Sequence, residues 1–109
     1  MQRNKRARLE AHGWRVGNAA DFLALTSEEA ALVETKLALS GSVRDRRMAQ
    51  GLSQIELAKR LKSSQSRIAK VEAADPTVSA DLLLRALFAL GATPTDVASA
   101  IRKRRRMAA

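Results

Sequence analysis

The chain has no cysteine and no tyrosine, and only one tryptophan, two phenylalanines, two prolines and one histidine among 109 residues. Without cysteine, disulfides and thiolate metal sites are excluded. With so few aromatics, the 46% of residues that are apolar must build a core chiefly from Leu, Val, Ile and Ala, which suits a bundle of helices. The lone histidine, His12, lies in a basic segment with no supporting serine–carboxylate spacing. No glycine-rich phosphate loop, H-E-x-x-H or paired-cysteine pattern occurs, so no enzymatic activity, cofactor or metal is expected. No apolar run reaches the length of a membrane span and no signal-peptide stretch opens the chain, so a cytoplasmic protein is expected. The length leaves room for one compact domain and little more.

Acidic residues are also scarce: 11 Asp and Glu face 20 Lys and Arg, for a formal charge of +9 and an isoelectric point near 11.3. Such a balance calls for an acidic partner. Its distribution is uneven. Residues 1–16 hold five cations against one acid, residues 42–75 hold eight against four, and 102–106, RKRRR, add five more. Residues 17–41 reverse the sign, with four acids against one Lys. A basic central unit flanked by basic ends is the footprint of a nucleic-acid binder. Each basic end is equally well read as a solvated charge run.

The stretch 42–73, SVRDRRMAQGLSQIELAKRLKSSQSRIAKVEA, reads as two short helices joined by a tight turn at Lys62-Ser63-Ser64, with a third helix before them. Ser53 and Glu56 form a capping box, and Leu52 and Leu57 a hydrophobic staple, at the start of the first helix. Gly51 ends the helix before it. Leu57, Ala58 and Leu61 make one apolar stripe. Ser64 caps the second helix, whose narrow apolar side is Ile68 and Val71. Its remaining residues, Gln65, Ser66, Arg67, Ala69 and Lys70, are small or polar. In a major groove Gln can pair with adenine, and Arg or Lys with guanine. A solvated amphipathic helix is the plainer interpretation of either helix alone; the two together at this turn spacing are much more specific.

GLSQIELAKRLKSSQSRIAKVEA resembles the helix-turn-helix of the XRE class, the Cro and phage-repressor-like regulators. The match is carried by Gly51-Leu52-Ser53-Gln54, Glu56-Leu57-Ala58, Leu61, Ser64-Gln65-Ser66, Ile68 and Glu72, within residues 42 to about 91. The resemblance implies that Gln54 holds a phosphate and that Gln65, Ser66 and Lys70 read bases, with Arg67 serving either role. It also implies a structural pair between Arg47 and Glu72. Lys62 and Ala74 depart from the pattern, standing where that class often has glycine, so each puts a side chain where positive φ is expected. Arg44, Arg46, Lys59, Arg60, Lys62 and Ser64 are the further phosphate-contact candidates, setting position rather than sequence.

Elsewhere, residues 1–26 read as a basic extension with short helices, one ending at Gly13 and another capped by Asn18. Trp14, Val16, Phe22, Leu23 and Leu25 in it make either an added packing layer or an exposed docking patch. Thr26 to Glu29 is a second capping box and opens a helical pattern that could run to Gln50, roughly 36 Å at 1.5 Å per residue. A break is expected at Ser40-Gly41-Ser42, because glycine costs about 1 kcal/mol inside a helix. After Asp75-Pro76-Thr77 turns the chain, Ser79 caps a helix rich in Leu that ends at Gly91. Thr93-Pro94-Thr95-Asp96 then opens another. Residues 27–101 are thus expected to form an all-α helical bundle, with 102–109 as a basic tail.

These features predict a sequence-specific repressor that binds double-stranded operator DNA; the resemblance implies a homodimer, with Leu84, Phe88, Val97 and Ile101 as candidate dimer contacts that core packing explains nearly as well. In size and lead-in, DFLALTSEEAALVETKLALS, the chain also resembles the small HigA-like antitoxins of bacterial toxin–antitoxin pairs. That resemblance implies autoregulation and a cognate toxin partner, for which Trp14, Phe22 and Leu23 are the candidate contacts. The competing class is a helical protein-interaction module with at most non-specific nucleic-acid binding.

Overall fold

Serine and threonine set where the helices of this chain begin, and one repeated motif sets where four of them end. A computed structural model describes residues 25–108. The expectations placed on residues 1–24, including the short helices and the Trp14, Phe22 and Leu23 patch, lie outside it. The described residues form five α-helices and no strand: α1 (Ser27–Ala49), α2 (Gln54–Arg60), α3 (Gln65–Glu72), α4 (Ala80–Ala89) and α5 (Pro94–Ala108).

Thr26 accepts from the Glu29 amide while Glu29 accepts from the Thr26 amide, each at 3.1 Å. Ser53 and Glu56 do the same for α2, and Thr93 and Asp96 for α5, where Pro94 fills the first helical position. Ser64 and Ser79 cap α3 and α4 by accepting from the amides of Arg67 and Leu82. At the other ends, α1 to α4 each close with a paired 6→1 and 5→2 hydrogen bond around a residue in the left-handed region. For α1 these run from Leu52 N to Arg47 O and from Gly51 N to Met48 O; for α2, from Ser63 N to Ala58 O and from Lys62 N to Lys59 O. The left-handed residue is Gly51 (φ 69°) and Gly91 (φ 86°) after α1 and α4, but Lys62 (φ 52°) and Ala74 (φ 57°) after α2 and α3.

Helix α1 is the spine of the bundle and packs against α3, α4 and α5. Leu39 and Val43 of α1 meet Leu57, Ala58, Ile68, Val71, Leu83, Ala86 and Leu87 in one buried cluster, completed by Val78, Leu90 and Ala92 from the connections. α5 runs antiparallel along α1, as shown by ion pairs from Arg46 to Asp96 (3.3 Å) and from Arg105 to Glu34 (3.6 Å). Lys36 Nζ donates to Pro76 O at 3.2 Å, tying the α3–α4 connection to the same spine. Burial pulls the Lys36 ammonium below its ordinary pKa, against the opposing charge of Asp75.

Two expectations are corrected. The break at Ser40-Gly41-Ser42 does not occur, because α1 is continuous for 23 residues. Leu39 and Val43 straddle Gly41 and are buried. Burying such side chains is worth about 1.5–3 kcal/mol each, more than the roughly 1 kcal/mol that glycine costs. Nor does the chain become a tail after Ile101, since residues 102–108 continue α5. Partly buried Ile101 and Arg104, with the Arg105–Glu34 pair, hold these turns against α1.

Two glycine swaps of opposite sense should both stabilise the fold. A Cβ at helical Gly41 meets no atom within 4 Å, and Ala74 carries its Cβ at positive φ. Gly41→Ala and Ala74→Gly are each expected to raise unfolding free energy by about 1 kcal/mol in urea titrations. The carboxyls of Glu56, Asp75 and Asp96 are all held below their ordinary values, first by hydrogen bonds from Ser53, Thr77 and Thr93 respectively. Their stabilising effect is therefore fully present above the unfolded values near 4.5 for Glu and 3.8 for Asp, and is lost as pH falls through the lower folded values. The urea midpoint should drop between about pH 5 and pH 3, and by less in a Glu56→Gln/Asp96→Asn variant.

Candidate nucleic-acid interface

Helix α3 is held by one thin side. Ile68 and Val71 have no exposed surface and lock it onto α1 and α2, leaving Gln65, Ser66, Arg67 and Lys70 exposed together on the outer face. The side chains of Arg67 and Lys70 make no hydrogen bond or ion pair with any described residue. The Ser64 hydroxyl is committed to capping and also meets Ser66 Oγ at 3.2 Å.

The inner end of α3 is fixed by a polar relay. Glu72 takes a bidentate pair from Arg47, Nε to Oε2 at 2.5 Å and Nη2 to Oε1 at 2.9 Å, with side chains only 5% and 14% exposed respectively. This hydrogen bonding holds the guanidinium above its already high pKa, against the effect of burial. Arg47 Nη1 also donates to Leu52 O at 2.7 Å, bridging the chain's entry into α2. Gln54 Nε2 donates to Glu72 Oε1 at 3.2 Å, and Gln65 Nε2 donates to Gln54 Oε1 at 2.7 Å. A carboxylate only accepts, so Gln54 must turn its NH2 to Glu72 and its oxygen to Gln65. Gln65 is left with a free carbonyl oxygen and one free N–H on the exposed face.

The remaining candidates divide. Lys62 in the α2–α3 turn, Lys59 on α2 and Arg44 on α1 are exposed. Arg46 is turned away toward Asp96 of α5, and Arg60 reaches Ala89 O at the end of α4 at 3.5 Å, so neither stands with the α3 face. Leu84, Val97 and Ile101 pack partly buried against the core, while Phe88 is 47% exposed. Met48 and Ile55 are exposed apolar residues that the sequence pattern did not single out.

Thr77, part of the Asp75-Pro76-Thr77 turn, is not among the site residues expected from the sequence. Its N–H and hydroxyl donate to Asp75 Oδ1 at 2.8 and 2.6 Å, a turn signalled by the Asp-x-Thr spacing. It joins Ser64, Ser66, Arg67, Lys70, Val78 and Leu82 around an open cleft of about 340 Å³. Arg67 and Lys70, with one proton of the Ser64–Ser66 hydroxyl pair left to donate, suit an anionic ligand group at this cleft.

A family model described as a helix-turn-helix domain matches residues 38–100. No curated protein and no solved structure matches the chain.

The Arg47–Glu72 pair gives a direct test of what holds α3. Glu72→Ala strands a mostly buried guanidinium and should cost about 3 kcal/mol of stability. Arg47→Met/Glu72→Leu, which removes both charges, should recover most of that loss in the same denaturant titration.

Proposed function

The chain belongs to the helix-turn-helix domain family, and from that premise we propose that it is a sequence-specific DNA-binding transcriptional repressor rather than an enzyme. The observation that carries this reading is the outer face of α3, where Gln65, Ser66, Arg67 and Lys70 are exposed together on a helix anchored from behind. Gln65 keeps an acceptor and a donor for a base edge while its other N–H is held by Gln54. Gln54, Lys62, Ser64 and Thr77 rim that face, with Lys59 and Arg44 further out as phosphate contacts that set register.

Two copies placing α3 in successive major grooves would read a two-fold symmetric site with half-sites about 34 Å apart. Phe88, exposed beside partly buried Leu84, is the apolar anchor for that homodimer, with Val97 and Ile101 of α5 as further candidate contacts. In the finer form of the reading, the protein is a cytoplasmic antitoxin that represses its own operon. Its toxin would be held by the N-terminal segment bearing Trp14, Phe22 and Leu23.

A footprint on the DNA upstream of the protein's own reading frame, with and without the product of the adjacent gene, tests each level. Protection of a symmetric site supports the repressor, and a change on adding the neighbour supports the antitoxin. Gln65→Ala and Lys70→Ala should each weaken the cognate site by about 1–3 kcal/mol and relax preference at one base position. Unchanged discrimination between operator and scrambled DNA in both variants removes α3 as the reading helix. Retained binding to a protein partner without any duplex binding favours an interaction module.

A further inference from the structure

The densest positive charge in the molecule is not on the reading helix. Arg102 to Arg106 are five consecutive cations, and they occupy the C-terminal turns of α5, which lies antiparallel along α1. Four of them, Arg102, Lys103, Arg105 and Arg106, are exposed, while Arg104 turns inward beside α1. Its Nε is buried without a hydrogen-bond partner.

This arrangement works against the helix that carries it. Like charges three and four residues apart, here Arg102 with Arg105 and Arg106 and Lys103 with Arg106, are neighbours on one surface and repel. Cations at a helix C-terminus do gain from the helix dipole, but only within the last turn. That accounts for Arg105 and Arg106, close to the end at Ala108. It does not account for Arg102 and Lys103, which lie more than a turn inside. Within the described residues the cluster meets one carboxylate, Glu34, which Arg105 approaches at 3.6 Å while remaining 78% exposed.

We propose that the C-terminal turns of α5 form a second DNA-contacting surface, one that holds the phosphate backbone without reading sequence. The proposal deepens the DNA-binding reading and rests on it. Charge complementarity selects the partner: duplex DNA presents one negative charge per roughly 1.7 Å of axis, a density that matches exposed cations packed into little more than one helical turn. Arginine supplies three of the four exposed cations, and its planar fork suits phosphate oxygens. The surface is also positioned. Arg46–Asp96 and the packing of Val97 and Ile101 against the core hold α5 along the same spine that holds α3 through Arg47–Glu72.

Salt dependence separates this surface from the reading helix. Binding of the wild type, Gln65→Ala and a triple Arg102→Gln/Lys103→Gln/Arg106→Gln variant is measured on the footprinted site and on unrelated duplex, across about 50 to 200 mM salt. The triple variant should lose about 2 to 3 units of slope in log affinity against log salt, at about 0.9 per phosphate contact. It should weaken both DNAs alike, leaving the ratio between them unchanged. Gln65→Ala should change the ratio and leave the slope. Glu34→Gln, which frees Arg105, should steepen the slope and tighten binding to unrelated duplex. An unchanged slope in the triple variant, whose fold is checked by its thermal transition, overturns the proposal while leaving α3 as the reader. Failure of the wild type to bind either DNA overturns the DNA-binding reading and this surface with it.

Discussion

The Arg47–Glu72 pair is the constraint on which the arrangement of this molecule depends. It joins the C-terminal part of α1 to the end of α3, and its third hydrogen bond, to Leu52 O, also sets the entry to α2. A buried ion pair is weak evidence of net stability, because desolvating both charges offsets most of their attraction. What it supplies here is geometry. Glu72 Oε1 orients Gln54, and Gln54 orients Gln65. The first side chain of the outward face is therefore set by a relay that begins at the spine of the bundle.

A second constraint lies in how the helices stop. α1 to α4 end in the same left-handed closure, which lets short helices turn sharply enough to surround one small core. Where glycine stands, at Gly51 and Gly91, the closure is nearly free of steric cost. Where it does not, at Lys62 and Ala74, the backbone takes the same path and the surrounding packing must offset the strain. Those two positions bracket α3. Ile68 and Val71, fully buried between them, are the packing that keeps α3 in place.

Local chemistry was legible in the sequence because it depends on neighbours a few residues apart. The Thr26–Glu29 and Ser53–Glu56 boxes, the Ser64 and Ser79 caps, the stop at Gly51 and the buried pair Ile68 and Val71 all follow from spacing. Position-dependent features were less legible. Gly41 carries a helix-breaking propensity, but Leu39 and Val43 on either side of it are held by other helices that the local pattern does not display. RKRRR reads as a tail until α1 is seen alongside it, bringing Glu34 to Arg105. Arg46 and Arg60 looked equivalent to Arg44 and Lys59 by charge. Only the packed bundle turns Arg46 to Asp96 and Arg60 to the end of α4.

The resulting distribution of charge has a consequence for specificity. A chain of this size carrying a net charge of +9 would bind any duplex if its cations were scattered over one face, and phosphate contacts carry no sequence information. Here Arg46, Arg47 and Arg105 are tied to Asp96, Glu72 and Glu34. The outer face of α3 keeps just two cations among amides and hydroxyls. On the proposed reading, discrimination between bases falls to Gln65 and its neighbours, whose hydrogen-bonding groups must be matched or left unpaired at a cost. If the protein binds DNA as proposed, attraction and selection are carried by different residues of one scaffold, so each can change without undoing the other.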